Sequence, residues 1–146
     1  MLTTNQKGAI AEAAIVKEAV RLGVQVYRPV VEGGACDLIL DMSGRLVRVQ
    51  CKWATWTDEA VSFRCYRSRR TRSGLLARPY AADEVDAFAA YCFALDTCYF
   101  VPLEQVAGRR SLRLRVKPTA NNQSAGINWA AEYEFAATLP SQNAGP

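Results

Sequence analysis

The order of helical and strand-like segments predicts an α/β protein of the mixed α+β type, in which helices flank a central mixed β-sheet. An alanine-rich stretch near the N-terminus has apolar residues at helical spacing, and several later segments are short, apolar and β-prone. The chain of 146 residues contains neither an internal repeat nor a linker. This length suits a single domain with one sizeable core.

Residues 4–22 are predicted to form the first helix, with Thr3 or Thr4 as N-cap and Gly23 as stop signal. The spacing of Val16, Ala19 and Val20 predicts its apolar stripe, which reaches Glu12 one turn earlier. Glu12 then either faces a functional site or lies at the edge of the stripe with its carboxylate in water.

β-prone segments follow this helix through most of the chain. Pro29 places the first of them at an edge or a strand end. Single helical turns are expected at 102–106 and 129–133, and an exposed loop at 64–78. The predicted strands are 24–31, 35–40, 47–52 (extended or followed by another strand over 53–63), 85–92, 97–101 and 112–116.

Three polar residues converge on the second and third strands. A turn centred on Ser43 and Gly44 pairs residues whose numbers sum to 87, so Asp37 is expected opposite Gln50. Lys52 follows Gln50 by two residues and shares its face. Because unpaired buried polar groups are costly, these side chains are expected to serve a metal, a phosphate or each other.

The absence of histidine limits the available chemistry. Ser-His and Cys-His nucleophiles and His-ligated zinc are excluded. The five cysteines are odd in number and lack a CxxC spacing, which argues against a disulfide framework or a zinc cluster. Hydrolysis would therefore need carboxylates, lysine and a hard cation such as Mg²⁺.

Positive charge is concentrated in two segments, although the net charge is only +4. The alternatives are a solvated loop and a surface that attracts polyanions such as nucleic acid. The first segment contains Arg64, Arg67, Arg69, Arg70, Arg72 and Arg78, and the second contains Arg109, Arg110, Arg113, Arg115 and Lys117. No apolar run is long enough for a membrane span and the N-terminus does not resemble a signal peptide, so a cytoplasmic protein without membrane contact is expected.

An ordered set of motifs covering roughly residues 5–135 resembles the PD-(D/E)XK nuclease superfamily, in particular the homing endonucleases encoded in bacterial group I introns. In that superfamily a helix with Glu precedes a hairpin with Asp and an (Asp/Glu)-X-Lys triplet. The resemblance implies a restriction-endonuclease-like core and a single nuclease domain over 1–146, with its core at about 5–135 and a tail at 136–146. The motifs are Gly8–Glu12, Asp37–Leu40, Val49–Lys52, Val85–Cys92, Tyr99–Pro102 and Pro118–Gln123.

The resemblance implies Mg²⁺-dependent hydrolysis of DNA, with Mn²⁺ as a substitute ion. Asp37, the carbonyl of Cys51 and Glu12 would hold the metal, Gln50 would orient water or complete the coordination shell, and Lys52 would contact the attacking water or the phosphate. The partners implied are double-stranded DNA and one or three further copies of the chain, in a homodimer or homotetramer. The residues expected near the duplex are Arg67, Arg69, Arg70 and Arg72, with Lys117, Asn121 and Asn122 as secondary candidates.

Two positions depart from the superfamily pattern. Cys36 stands where the name implies proline, and Gln50 replaces an acid, which lowers the formal charge facing a metal. A catalytically weakened or inactive DNA-binding protein with a nuclease fold is therefore an alternative. A junction resolvase, a restriction-type or repair nuclease, and an unrelated basic interaction module are the others.

Overall fold

The structure is a computed structural model that describes residues 1–106, 108–121 and 125–140, without the side chains of Arg69 and Arg70. Two helices, two 3₁₀ turns and nine strands form the described part. The helices are α1 (Thr4–Arg21) and α2 (Phe135–Thr138), and the 3₁₀ turns are Leu103–Gln105 and Ala130–Tyr133. The strands are β1 (Gln25–Tyr27), β2 (Leu38–Met42), β3 (Arg45–Trp56), β4 (Ala60–Arg64), β5 (Tyr66–Thr71), β6 (Gly74–Pro79), β7 (Ala87–Cys92), β8 (Thr97–Pro102) and β9 (Ser111–Arg115).

Helix α1 begins where the sequence predicts and ends one residue earlier, at Arg21. The Gln6 N–H donates to Thr3 Oγ1 at 3.1 Å, and the Thr3 N–H donates to Gln6 Oε1 at 2.8 Å. This reciprocal capping box satisfies two amides that the helix itself leaves unpaired. Gly23 follows the last turn with a φ of 81°, a conformation that suits glycine. No helix among the described residues is long and apolar enough to cross a membrane.

The buried stripe of α1 differs from the predicted one, with which it shares Ala19. Ala11, Ile15 and Ala19 are buried, whereas Val20 is 59% exposed. These three residues follow a spacing of four, and Ile15 is apolar like Val20, so apolar character alone does not decide which side of the helix is buried. Glu12 therefore lies at the edge of the buried stripe, with its side chain 36% accessible.

Seven strands form a mixed sheet, as predicted. The antiparallel path runs β1-β2-β3-β4-β9, while β7 lies parallel to β3 and antiparallel to β8. The β2–β3 register confirms the predicted sum of 87, from Leu38 opposite Val49 to Met42 opposite Arg45. Ser43 and Gly44 turn the hairpin with positive φ values, as two-residue hairpin turns require.

Strand β7 is buried on both faces, as a parallel central strand usually is. Ala87, Ala89 and Tyr91 pack in the cluster that includes α1 and α2. Phe88 and Ala90 pack in a second cluster on the opposite face. The two clusters thus cover β7 on both faces.

Three sequence predictions need correction. The first strand covers only Gln25–Tyr27 instead of 24–31, because Pro29 cannot donate to a ladder. Residues 64–78 are not a loop: β5 and β6 pair antiparallel as a separate two-stranded ribbon. The core extends past residue 135, because Leu139 is buried against the α1 side of the sheet.

Candidate active site and family

Strand β3 has an open edge at its middle. β2 pairs with β3 as far as Val49, and β4 begins to pair with it at Thr55. Within the described strand pairs, residues 50–54 of β3 therefore pair only with β7 and lack a partner on their other edge. The Cys51 N–H at this edge donates to Asp37 Oδ2 at 2.9 Å. In a strand the N–H and C=O of one residue point to the same side, so the Cys51 carbonyl lies at this edge too.

Asp37 occupies this edge differently from the prediction. Asp37 precedes β2, and its N–H donates to the Val49 carbonyl at 2.9 Å. Asp37 and Gln50 are therefore not a strand pair, although the register of the hairpin is the expected one. The Asp37 carboxylate instead accepts from the main-chain N–H of Cys51, the residue after Gln50. It thereby satisfies an amide that a neighbouring strand would otherwise pair.

Glu12 and Asp37 line one cleft between α1 and the loop before β2. Arg28, also in this cleft, places its Nε 3.4 Å from Glu12 Oε1. The structure thus brings together the acid of the helix and the acid of the hairpin, as the sequence predicts.

The ionisation of Asp37 reflects this setting. Burial raises the pKa of Asp37 above its ordinary value, and the nearby charge of Glu12 raises it further. The Cys51 N–H and the charge of Lys52 act in the opposite direction. A cation bound between the two acids would offset both the cost of burying the Asp37 charge and its repulsion by Glu12, and would lower this pKa.

The side chain of Lys52 lies on the face of the sheet away from α1, where it contacts residues at the base of the β5–β6 ribbon. Its Nζ donates to Tyr80 Oη at 3.1 Å and to the Tyr66 carbonyl at 3.4 Å, and it lies 4.9 Å from the centre of the Tyr80 ring. Burial lowers the pKa of Lys52, while Asp37 raises it. The ammonium group is therefore partly desolvated and close to a carboxylate.

Gln50 has the same orientation as Lys52. The two residues lie opposite Phe88 and Ala90 of β7, which face the same core cluster. Gln50 Oε1 is buried without a hydrogen-bond partner, the only side-chain N or O atom in this condition among the described residues. A buried carbonyl oxygen without a donor is suited to a water or a cation.

These groups fit a hard divalent cation. The described residues contain no cluster of three His, Cys, Asp or Glu side chains that could hold a metal. The available donors are instead the carboxylates of Asp37 and Glu12, the orphan Oε1 of Gln50 and the carbonyl of Cys51. All four are oxygens, which Mg²⁺ and Mn²⁺ prefer over softer ligands.

The arginine-rich segment is presented on the β5–β6 ribbon. Arg67 points toward the body of the protein, where its guanidinium donates to Glu84 at 3.0 Å and to the Gly33 carbonyl at 3.2 Å. Arg72 is exposed at the ribbon turn. The backbones of Arg69 and Arg70 lie in β5, and their side chains are outside the description.

The secondary candidates lie elsewhere. Lys117 is exposed, and its Nζ lies 6.0 Å from the ring centre of Trp56 near the end of β3. Asn121 is exposed in a turn. Asn122 lies outside the described residues.

Sequence reasoning missed Tyr80 and Glu84. Tyr80 is only 8% exposed, and Glu84 receives hydrogen bonds from Arg67, Arg78 and the Ala81 N–H. Both residues follow the ribbon in sequence, outside any motif. Their roles depend on how the ribbon folds back on β3, which no local pattern specifies.

Comparison with known proteins identifies the chain. A family model described as PD-(D/E)XK endonuclease matches residues 2–136. The chain belongs to the PD-(D/E)XK endonuclease family. It is therefore an endonuclease by family, with DNA as its class of substrate, and nucleases of this family generally use divalent metal ions.

A solved structure supports the fold of this PD-(D/E)XK endonuclease. The bacterial homing endonuclease I-Ssp6803I is similar with a TM-score of 0.75 and 24% identity, over 92% of this chain and 90% of that chain. The likeness confirms the nuclease-type core with its mixed sheet. No curated protein matches this chain.

Proposed function

We propose that this chain is a Mg²⁺-dependent, sequence-specific DNA endonuclease of the homing type. The observation that supports this most is that Glu12 and Asp37 line one cleft beside the open edge of β3, where the charge of Lys52 also acts on Asp37. The orphan oxygen of Gln50 belongs to the same strand segment. The solved homing endonuclease, which covers nearly the whole chain, supports the homing type.

Four oxygen donors would hold the ion: the carboxylates of Asp37 and Glu12, the Cys51 carbonyl and Gln50 Oε1. When bound, a divalent ion supplies a more acidic water and neutralises charge on the scissile phosphate. Gln50 contributes no charge, so this site relies on Asp37 and Glu12 for electrostatic attraction. The replacement thus favours a weaker ion affinity than a site with three acids.

Lys52 supplies the positive charge of the reaction. The Nζ points along the face that it shares with Gln50, and its hydrogens can stabilise the negative charge that develops on the phosphate oxygens. Asp37 holds the main chain of Cys51 by a hydrogen bond, which fixes the strand that carries Lys52. Asp37, Gln50 and Lys52 would thus be positioned around one strand segment before the substrate binds.

The ribbon supplies the proposed contact with the duplex. A two-stranded antiparallel ribbon fits the major groove of DNA, and arginine suits both phosphates and guanine edges. Of the residues predicted to bind, Arg72 is exposed at the ribbon tip, whereas Arg67 would first exchange its contacts with Glu84 and Gly33.

Cutting both strands requires more than one copy of this chain, because each chain supplies a single candidate centre. We expect a homodimer or a homotetramer, with two centres facing opposite strands of the duplex.

A cleavage assay on supercoiled plasmid and on a randomised DNA library tests the proposal. Wild-type protein is expected to cut in Mg²⁺ or Mn²⁺ and not in EDTA, and Asp37→Asn and Lys52→Ala should each lose on the order of 10²-fold or more in rate. Asp41→Asn is the matched control, because Asp41 accepts a hydrogen bond from the Gly44 N–H at the far end of the same hairpin. DNA binding without cutting under all metal conditions would refute the enzyme and favour the inactive DNA-binding alternative.

A further inference from the structure

Tyr80 is a buried polar residue that the proposed chemistry does not use directly. Its ring packs edge-on against Phe88, with centroids 5.4 Å apart, and its hydroxyl oxygen accepts from Lys52 Nζ at 3.1 Å. Burial, followed by the charge of Asp37, raises the pKa of Tyr80 to about 12, so the hydroxyl stays neutral. A neutral oxygen next to an ammonium group accepts a hydrogen without cancelling its charge.

The Tyr66 carbonyl is the second acceptor for Lys52, at 3.4 Å. Tyr66 pairs with Pro79 at the base of the ribbon, so the two acceptors come from the first strand of the ribbon and from the residue that follows its second strand. An ammonium group has three hydrogens. Two are therefore directed at the ribbon base, and one remains for a substrate atom.

The ribbon base is itself fixed to the protein body. Glu84 accepts from Arg67 of β5 and Arg78 of β6, with distances of 2.7 to 3.0 Å. Glu84 also accepts from the Ala81 N–H, the amide next to Tyr80, at 3.0 Å. One carboxylate thus joins both strands of the ribbon to the backbone beside Tyr80.

We infer that Tyr80 is a positioning residue, which holds the Lys52 ammonium group in the orientation needed for phosphodiester hydrolysis. This inference rests on the proposed function. It adds a residue outside the acid and lysine motif, and it links the geometry of Lys52 to the seating of the DNA-contacting ribbon.

Tyr80→Phe tests the inference, because it keeps the ring that packs on Phe88 and removes only the hydroxyl. We expect the single-turnover cleavage rate at saturating DNA to fall by about 10- to 100-fold, the range seen when residues that orient metal ligands are replaced. DNA affinity in EDTA should not change. Rates are expressed per folded molecule, from thermal melting of the same samples.

The matched control is Tyr91→Phe. Tyr91 is also buried, and its hydroxyl donates to Asp96 Oδ1 at 2.7 Å on the opposite face of β7. The control also loses a hydrogen bond between a tyrosine hydroxyl and another side chain, here with the hydroxyl as donor, without touching Lys52. Its cleavage rate should match that of the wild type.

A second readout does not depend on cleavage. The ¹H–¹⁵N signal of the Lys52 ammonium group, assigned by its absence in Lys52→Ala, should shift in Tyr80→Phe and remain in place in Tyr91→Phe. A wild-type cleavage rate or an unmoved Lys52 signal in Tyr80→Phe would overturn the inference. If wild-type protein cuts no DNA, the proposed function fails, and the Lys52 signal alone still decides whether Tyr80 positions the lysine.

Discussion

Replacing Gln50 with methionine separates the stability of the candidate site from its chemistry. Methionine has nearly the shape of glutamine but no polar side-chain atom. Gln50 Oε1 is buried without a partner, and leaving a buried polar atom unsatisfied costs about 1–3 kcal/mol. In EDTA, Gln50→Met should therefore raise the free energy of unfolding by about 1–3 kcal/mol. For a chain of this size, each kcal/mol corresponds to a rise in Tm of roughly 3 °C.

Magnesium should reduce or reverse the difference in stability between the two proteins. A ligand that binds only the folded state stabilises it by about 2.7 kcal/mol at a hundred times its Kd. The wild type keeps all four oxygen donors and should gain this stability, whereas Gln50→Met should gain less and cut more slowly. Urea unfolding with EDTA or Mg²⁺, together with plasmid cleavage, measures all three effects.

The control for this experiment is Gln25→Met, at an exposed glutamine of β1. It should change neither the stability in EDTA nor the response to Mg²⁺. A loss of stability in Gln50→Met without metal, or an undiminished response to Mg²⁺, would refute the assignment of the orphan oxygen to an ion.

Three further predictions concern the rest of the molecule. Ile15→Ala should lower the free energy of unfolding by about 2–5 kcal/mol because Ile15 is fully buried, whereas Val20→Ala should stay within about 0.5 kcal/mol; equal effects in urea unfolding would contradict the observed stripe. Arg78, followed by the Ala81 N–H, lowers the pKa of Glu84 from 4.5 to about 2, so its ionised form stabilises the fold above pH 4.5, and that contribution is lost as the pH falls toward 2. Glu84→Gln should therefore show a smaller loss of Tm than wild type between pH 4.5 and 2, and parallel curves would count against the contact. Arg72→Ala should reduce the slope of log affinity for DNA against log salt by about 1, and an unchanged slope would place Arg72 away from phosphate.

Local signals predicted the elements that position the site. The capping threonine, the turn at Ser43 and Gly44, and the alternation that places Gln50 and Lys52 on one face act over a few residues and survive in the fold. The hairpin register therefore followed from the sequence alone.

Contacts between distant segments could not be predicted in this way. The choice between Val20 and Ile15 for the buried stripe depends on which side of α1 meets the sheet. The pairing of β5 with β6 was not predicted because arginine is not among the residues enriched in strands and the turn carries no strong hairpin pair. Glu84 and Tyr80 acquire their roles only when the ribbon folds against β3.

The open edge of β3 has a consequence for how variants of this protein can differ. A carbonyl group belongs to the main chain, so no replacement of the residue at position 51 removes it. The side chain of Cys51 packs on the α1 side of the sheet, so the residue at this position must fit against that helix and keep an N–H for Asp37. At position 37 the proposed chemistry depends on the side chain itself, so substitutions should be tolerated at position 51 and eliminated at position 37.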